Sequence, residues 1–108
     1  MNKYEVVLLF SPELGSQNLS NEFEKVKKFI CFDTGKIVNE EDWGLRDLNY
    51  AIKKFQKAFY RYYQIELNSS DLEKIKKDLN QIENLLRYLF IKVNVHEELP
   101  SKLNYEKK

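Results

Sequence analysis

The chain has 108 residues, of which 43% are hydrophobic and 32% charged, a balance typical of one folded domain rather than of a disordered chain. Its 18 Lys and Arg residues oppose 17 Asp and Glu residues, and the net charge of +1 excludes a strongly basic, histone-like protein. A local basic patch would still allow nucleic acid to bind. The longest apolar run, residues 6–10, is much shorter than the roughly 18 residues that a membrane span requires.

The first half of the chain predicts a strand, a helix and a second strand. Residues 3–10 are rich in Val, Leu and aromatic side chains, which predicts a strand. Apolar side chains then recur at spacings of four, three and four residues, which predicts a helix over residues 18–33. Gly35 is expected to end this helix with a positive φ. A long strand over residues 36–52 follows, in which Gly44 indicates a bulge or a bend.

The second half begins with a predicted hairpin connection, a strand and a helix. A basic connection over residues 53–57 leads into a strand over residues 59–67, whose side chains alternate in character. Ser70 and Glu73 have the spacing of a capping box. They predict the start of a helix whose apolar stripe covers residues 72–82.

The last predicted strand spans residues 86–95 and precedes a polar tail over residues 96–108. The element order is therefore β-α-β-β-α-β. This order predicts an α+β, ferredoxin-like fold, with a four-stranded antiparallel sheet and two helices on one face. We assign residues 1–95 to this single domain, and whether the tail is ordered is left open.

The helix-free face of the predicted sheet would carry apolar and aromatic side chains from three strands. These side chains are Val7, Leu9, Tyr60, Tyr62, Leu89 and Ile91. A lone soluble domain would present mostly polar groups there, so we expect a partner, either RNA bases or a protein segment. Residues 57–62 lack the glycines of the RNP1 motif, which disfavours base stacking on the sheet. Alternatively, the tail covers this face, or the phase of one strand is shifted by one residue.

Residues with catalytic or metal-binding chemistry are scarce. His96 is the only histidine and lies in the predicted tail, and Cys31, the only cysteine, has no neighbour in sequence that would activate its thiol. Three glycines are too few for a glycine-rich phosphate loop. The carboxylates of residues 40–42 alternate between faces, as ordinary surface charges do. We therefore predict no catalytic site, no metal site and no cofactor.

Residues 41–52 resemble the signature of the bacterial-type ribosomal protein S6 family. The signature has an acidic pair, an aromatic or apolar residue, Gly, Arg, Leu, Tyr, usually Pro, and Ile at these spacings. Further matches are Tyr4, Glu5, Val6, Pro12, Gly35, Lys36, Ile37, Ala58, Phe59, Tyr60, Arg87, Ile91 and Lys92. The resemblance covers residues 3–93. Ala51 replaces the usual proline, and the long acidic tail of some members is missing.

The resemblance implies a ferredoxin-like, non-enzymatic protein of the small ribosomal subunit. It also implies binding to small-subunit rRNA together with the small basic protein S18, beside other small-subunit proteins and away from any membrane. Whether the ribosome belongs to a bacterium or to an organelle such as a mitochondrion is left open. By position on the strands and the connection, the candidate RNA-binding residues are Arg46, Lys53, Lys54, Lys57, Arg87 and Lys92. The candidates for packing against the protein partner or the RNA are Tyr50, Tyr60 and Tyr62. Trp43 is expected to be an apolar plug beside Gly44.

Two other functional classes make different predictions. A free-standing ferredoxin-like protein-interaction module would bind its partner without dependence on phosphate charge. A small enzyme of the acylphosphatase type would need an arginine in an anion-binding loop after the first strand. Residues 11–18 contain no basic residue, which disfavours the enzyme.

Overall fold

The structure, a computed structural model, describes residues 2–32 and 35–96 and has the predicted element order. The elements are β1 (Asn2–Phe10), α1 (Ser16–Ile30), β2 (Lys36–Ile52), β3 (Phe55–Leu67), α2 (Leu72–Asn80) and β4 (Leu85–Val93). A single 3-10 turn (Ser69–Asp71) precedes α2. The predicted tail lies outside the described residues except for His96, and so does the alternative that the tail covers the sheet.

The four strands form one sheet in the order β2-β3-β1-β4, and every neighbouring pair is antiparallel. Tyr4, Val6, Leu8 and Phe10 alternate along β1 and are buried on the helix side of the sheet. They share this core with buried side chains from the other elements, namely Phe23, Val26, Ile30, Tyr63, Ile65, Leu67, Ile75, Leu79, Ile82 and Leu85. The predicted ferredoxin-like architecture, including the phase of β1 and β3, is therefore confirmed.

The hairpin between β2 and β3 is tighter than the sequence predicted. Strand β3 begins at Phe55, which pairs with Ile52, so that the turn consists of Lys53 and Lys54 alone. Lys53 adopts a φ of 58°, the left-handed conformation that such a short turn requires. Residues 55–57 of the predicted connection therefore belong to the strand.

Gly35 is required for a reason other than the one predicted. Positive φ values in the described residues occur at Lys53 and Gly44, not at Gly35. A Cβ atom built on Gly35 would instead overlap the backbone carbonyl oxygen of Ile30, the last residue of α1. The chain thus passes too close to the end of the helix for any side chain to fit.

The predicted capping box at Ser70 and Glu73 is wrong. Ser70 lies inside the 3-10 turn, and Asp71 occupies the N-cap position of α2 with a φ of −87° and a ψ of −13°. The 3-10 turn continues directly into the helix, so the first N–H groups of α2 follow a helical turn instead of an extended serine.

Substitution of Gly35 tests this close approach. We expect Gly35→Ala to lower the free energy of unfolding by at least about 2 kcal/mol, because the helix end or the start of β2 must move. Gly15→Ala is the control, since nothing lies within 4 Å of its added Cβ. Urea denaturation measures both, and a Gly35→Ala variant no less stable than the control would contradict the prediction.

Candidate interaction surface

The sheet face without helices, here called the open face, carries a second apolar cluster. Its buried members are Val7, Trp43, Ala58, Tyr60 and Tyr62, with Leu9, Leu48 and Leu86 packed against them. On β4, Leu89 and Ile91 lie on the same face, because they pair directly with Val7 and Glu5 of β1. The predicted apolar and aromatic character of the open face is confirmed.

A bulge in β2 places an aromatic side chain over this face. The register of β2 with β3 shifts between Asp42 and Gly44, so Trp43 is the extra residue. Gly44 has a φ of 73° and its N–H donates a 2.9 Å hydrogen bond to Asp42 Oδ1. The bulge predicted from the glycine is therefore confirmed.

Trp43 covers the two tyrosines at the centre of the open face. Its ring stacks on Tyr62 at a centroid distance of 5.1 Å and on Tyr60 at 6.4 Å, and Trp43 is only 6% exposed. The prediction that Trp43 acts as an apolar plug is confirmed. Tyr62 is fully buried, so a base has no free face of its ring on which to stack.

A groove of about 300 Å³ lies at one end of the open face, beside this cluster. Val7, Leu9 and Tyr60 come from the two central strands, whereas Tyr50 on β2 and Leu89 on β4 line the two sides. Tyr50 is 70% exposed and Leu89 is 48% exposed. We call this feature the open-face groove; it presents apolar surface that the described part of the chain leaves open to solvent.

The groove depends on an irregular segment of β2 that the sequence did not reveal. Asp47 pairs with Lys57 and Ile52 with Phe55, so residues 48–51 stand opposite a single residue of β3. Leu48, Asn49 and Tyr50 all line the groove. The sequence predicts a regular alternation here. The only signal of the irregularity is that β2 has 17 residues and β3 has 13.

The other end of the open face is polar and acidic. Gln64 is fully buried; its amide donates to the Tyr62 hydroxyl at 3.1 Å and accepts from Asn39 Nδ2 at 3.1 Å. Glu5 pairs with Gln64 across the strands and is also buried. Glu41 accepts a 3.2 Å hydrogen bond from the indole N–H of Trp43. This buried polar group was not predicted, because the strand alternation marks position 64 only as facing away from the helices.

Five of the six predicted RNA-binding residues lie at the groove end of the sheet. Lys53 and Lys54 form the exposed turn, and the ammonium group of Lys57 lies 3.8 Å from the exposed Asp47 carboxylate. The fourth and fifth are Arg46, in β2, and Arg87, which lines the groove. The structure thus gathers these cations around the β2–β3 hairpin and the open-face groove.

Lys92 is separated from the other candidates. It pairs with Tyr4, whose side chain lies in the helix-side core, whereas Arg87 pairs with Leu9 on the open face. Directly paired residues in antiparallel strands project to the same face. Lys92 therefore lies on the helix side, at the end of the sheet away from the groove.

Arg46 is turned toward the bulge. Its Nε–H donates a 2.9 Å hydrogen bond to the Trp43 carbonyl oxygen, and its guanidinium carbon lies 5.5 Å from the centroid of the indole ring. Burial raises the pKa of the Tyr60 hydroxyl, and the charge of Arg46 opposes that increase. Arg46 is therefore in electrostatic contact with a residue that lines the groove.

A second arginine is neutralised on the helix side. The guanidinium group of Arg61 lies 4.4 Å from the centroid of Phe23 and forms ion pairs with Glu40 at 3.3 Å and Asp42 at 3.5 Å. Its neighbour Tyr63 is fully buried, which raises the pKa of the hydroxyl to about 12 although the Arg61 charge opposes the increase. These groups hold β2 and β3 against α1.

The geometry describes a small ferredoxin-like binding protein. Within residues 2–32 and 35–96, no group of three or more His, Cys, Asp or Glu side chains is placed to hold a metal ion. None of the helices formed by those residues is long and apolar enough to cross a membrane. The distinctive surfaces are the open-face groove and the cationic hairpin beside it.

The sequence matches the family "Ribosomal protein S6" over residues 3–92, and the chain belongs to this family. It is 31% identical over 96 residues to the small ribosomal subunit protein bS6 of Christiangramia forsetii, covering 89% of this chain and 86% of that protein. The bS6 protein of Rhizobium etli is 34% identical over 103 residues, which cover 95% of this chain and 68% of that protein. A crystal structure of 30S ribosomal protein S6 from Thermotoga maritima has the same fold: its TM-score is 0.79 at 24% identity, with 85% of this chain and 87% of that chain covered.

Membership of the family establishes the general role of the protein. It is a component of the small ribosomal subunit with a structural rather than an enzymatic function. The resemblance found in residues 41–52 and the accompanying motifs is confirmed. Because the relatives are bacterial proteins, they indicate the small ribosomal subunit of the bacterial cytoplasm.

The buried Tyr63 hydroxyl predicts how stability depends on pH. Its pKa is higher in the folded state than the unfolded value of 10.0, so the unfolded chain loses this proton first as the pH rises. The stabilisation is complete below pH 10 and is lost as the pH approaches the folded value of about 12. A difference of this size corresponds to roughly 2 to 3 kcal/mol.

We expect Tyr63→Phe to remove most of this alkaline loss of stability. Urea denaturation of the wild type and the variant, at several alkaline pH values, measures the difference. Equal losses in the two proteins would contradict the prediction.

Proposed function

We propose that the protein binds small-subunit rRNA through its β2–β3 hairpin and binds ribosomal protein S18 through the open-face groove. The observation that carries the proposal is the position of an open apolar groove directly beside a cluster of exposed cations. The two surfaces have different chemistry, and a ribonucleoprotein that also contains a protein partner requires both.

The hairpin suits contact with phosphate groups. Lys53 and Lys54 project from its turn, and Lys57 adds an ammonium group next to them. The ion pair of Lys57 with Asp47 is solvent-exposed and therefore weak, so a phosphate can compete for the lysine. Phosphate contacts need charge and reach rather than a particular base sequence, which agrees with a turn that carries no aromatic side chain.

Arg87 extends this cationic surface across the groove. It lies on β4, opposite the hairpin, so an RNA strand along the hairpin end of the sheet would meet cations on both sides of the groove. Lys92 is on the other face at the far end, so it would need to meet a separate RNA segment. We therefore propose the three hairpin lysines and Arg87 as the main phosphate contacts.

The groove suits a protein segment better than a nucleobase. Trp43 already covers Tyr60 and Tyr62, and the remaining surface is formed by Leu89, Leu9 and similar apolar side chains. Such a surface gains stability by burying apolar side chains of a partner. Glu5 and Glu41 on the adjoining part of the open face complement a basic protein, which is the charge expected of S18.

The salt dependence of RNA binding tests the hairpin. A double variant, Lys53→Ala/Lys54→Ala, is expected to reduce the slope of log K against log salt by roughly 1.5 to 2, because two phosphate contacts are lost. Binding is measured on a small-subunit rRNA fragment in the presence of S18. Lys25→Ala is the matched control, since this lysine lies on α1 beside Glu22. An unchanged slope in the double variant would exclude the hairpin as the phosphate-binding element.

A charged substitution tests the groove. Leu89→Asp is expected to weaken S18 binding by about 10- to 100-fold, because a carboxylate would be buried against apolar side chains of the partner. Phe32→Asp is the control, since Phe32 is 71% exposed but lies next to the end of α1, away from the groove. Isothermal titration calorimetry with purified S18, without RNA, gives both affinities. Equal affinities would remove the groove from the proposal, and S18 binding that is independent of RNA and salt would favour the protein-interaction module.

A further inference from the structure

We infer that Arg46 is a positioning residue that fixes Trp43 over the open face and so shapes the open-face groove. Sequence position makes Arg46 a candidate phosphate contact, but its side chain is directed at the bulge in β2. The consequence for partner binding rests on the proposed function; the consequence for Trp43 does not.

The first support is the double contact between one side chain and one residue. A bulge leaves the backbone groups of its extra residue outside the regular ladder, and here that residue is Trp43. The Nε–H group of Arg46 donates to the Trp43 carbonyl oxygen at 2.9 Å. Its guanidinium group also lies 5.5 Å from the indole centroid, within the range of a cation–π contact. The backbone and the ring of Trp43 are thus held by the same planar group.

The second support is the position of Trp43 in the open-face cluster. Its ring stacks on Tyr62 at an interplanar angle of 11°, and its indole N–H is held by Glu41. Tyr60, the next residue in this stack, also lines the groove. A change in the orientation of Trp43 would therefore reach the groove through direct ring contacts.

A lysine cannot replace Arg46 in this arrangement. Its ammonium group would keep the positive charge, but it lacks the Nε–H group and the flat guanidinium surface that lies over the ring. A phosphate contact, by contrast, depends mainly on charge and reach. The Arg46→Lys variant therefore separates the two roles.

The fluorescence of Trp43, the only tryptophan in the chain, reports on the contact directly. We expect Arg46→Lys and Arg46→Ala to shift its emission to longer wavelength and to increase its quenching by acrylamide, because water gains access to the indole ring. Lys57→Ala is the matched control: it removes a cation from the same hairpin but leaves the Trp43 contacts intact. Far-UV circular dichroism verifies that each variant is folded. Emission like that of the wild type in both Arg46 variants would overturn the inference.

Binding measurements then distinguish positioning from phosphate contact. We expect both Arg46 variants to lose about tenfold in affinity for S18 while the salt slope of rRNA binding stays unchanged. A slope that falls by about 0.9 in Arg46→Ala but not in Arg46→Lys, with unaltered Trp43 emission, would establish a phosphate contact and overturn the inference. If the emission shifts but wild-type protein binds neither S18 nor rRNA, the proposed function fails while the role of Arg46 at Trp43 stands.

Discussion

The structure depends on how one four-stranded sheet buries two faces when helices cover only one of them. Strand β1 lies at the centre, and its residues 4–8 are all buried, so side chains of both parities must find apolar or hydrogen-bonded neighbours. On the helix side, α1 and α2 provide them. On the open face, the long edge strand β2 does so by bulging, which brings Trp43 over the tyrosines of β3. The groove lies where this cover ends.

Sequence predicted the parts of the structure that follow from local periodicity. The alternation in residues 4–10 and 59–67, together with the helical stripes, gives the sheet, its core face and its apolar open face. Gly44 was a sufficient sign of a bulge, because a positive φ is rare for other residues. Features set by contacts between distant segments were missed. The requirement for Gly35 arises from the carbonyl of Ile30, and no pattern in the neighbouring residues announces that contact.

The candidate site was predictable to the same extent. Lys53 and Lys54 were placed in the turn by the sequence alone, and a period of two residues already separates Arg87 from Lys92, which lie five positions apart on one strand. For Arg46 the same rule fails, since a bulge at Trp43 changes the face to which every later residue of β2 points. The direction of a side chain beyond a bulge can be read only after the partner strand and its register are known.

The distribution of ion pairs explains how a chain with a net charge of +1 can present a cationic surface. Arg61 and Lys27 are engaged by carboxylates between the sheet and α1, and Glu66 lies between two lysines at the far end of the sheet. In the described part of the chain, Lys53 and Lys54 form no ion pair. The acidic residues are therefore concentrated away from the hairpin turn, so the local potential there is set by lysines. Total charge averages over these regions, whereas a phosphate within a Debye length of the turn, about 8 to 10 Å, responds chiefly to the lysines nearest to it.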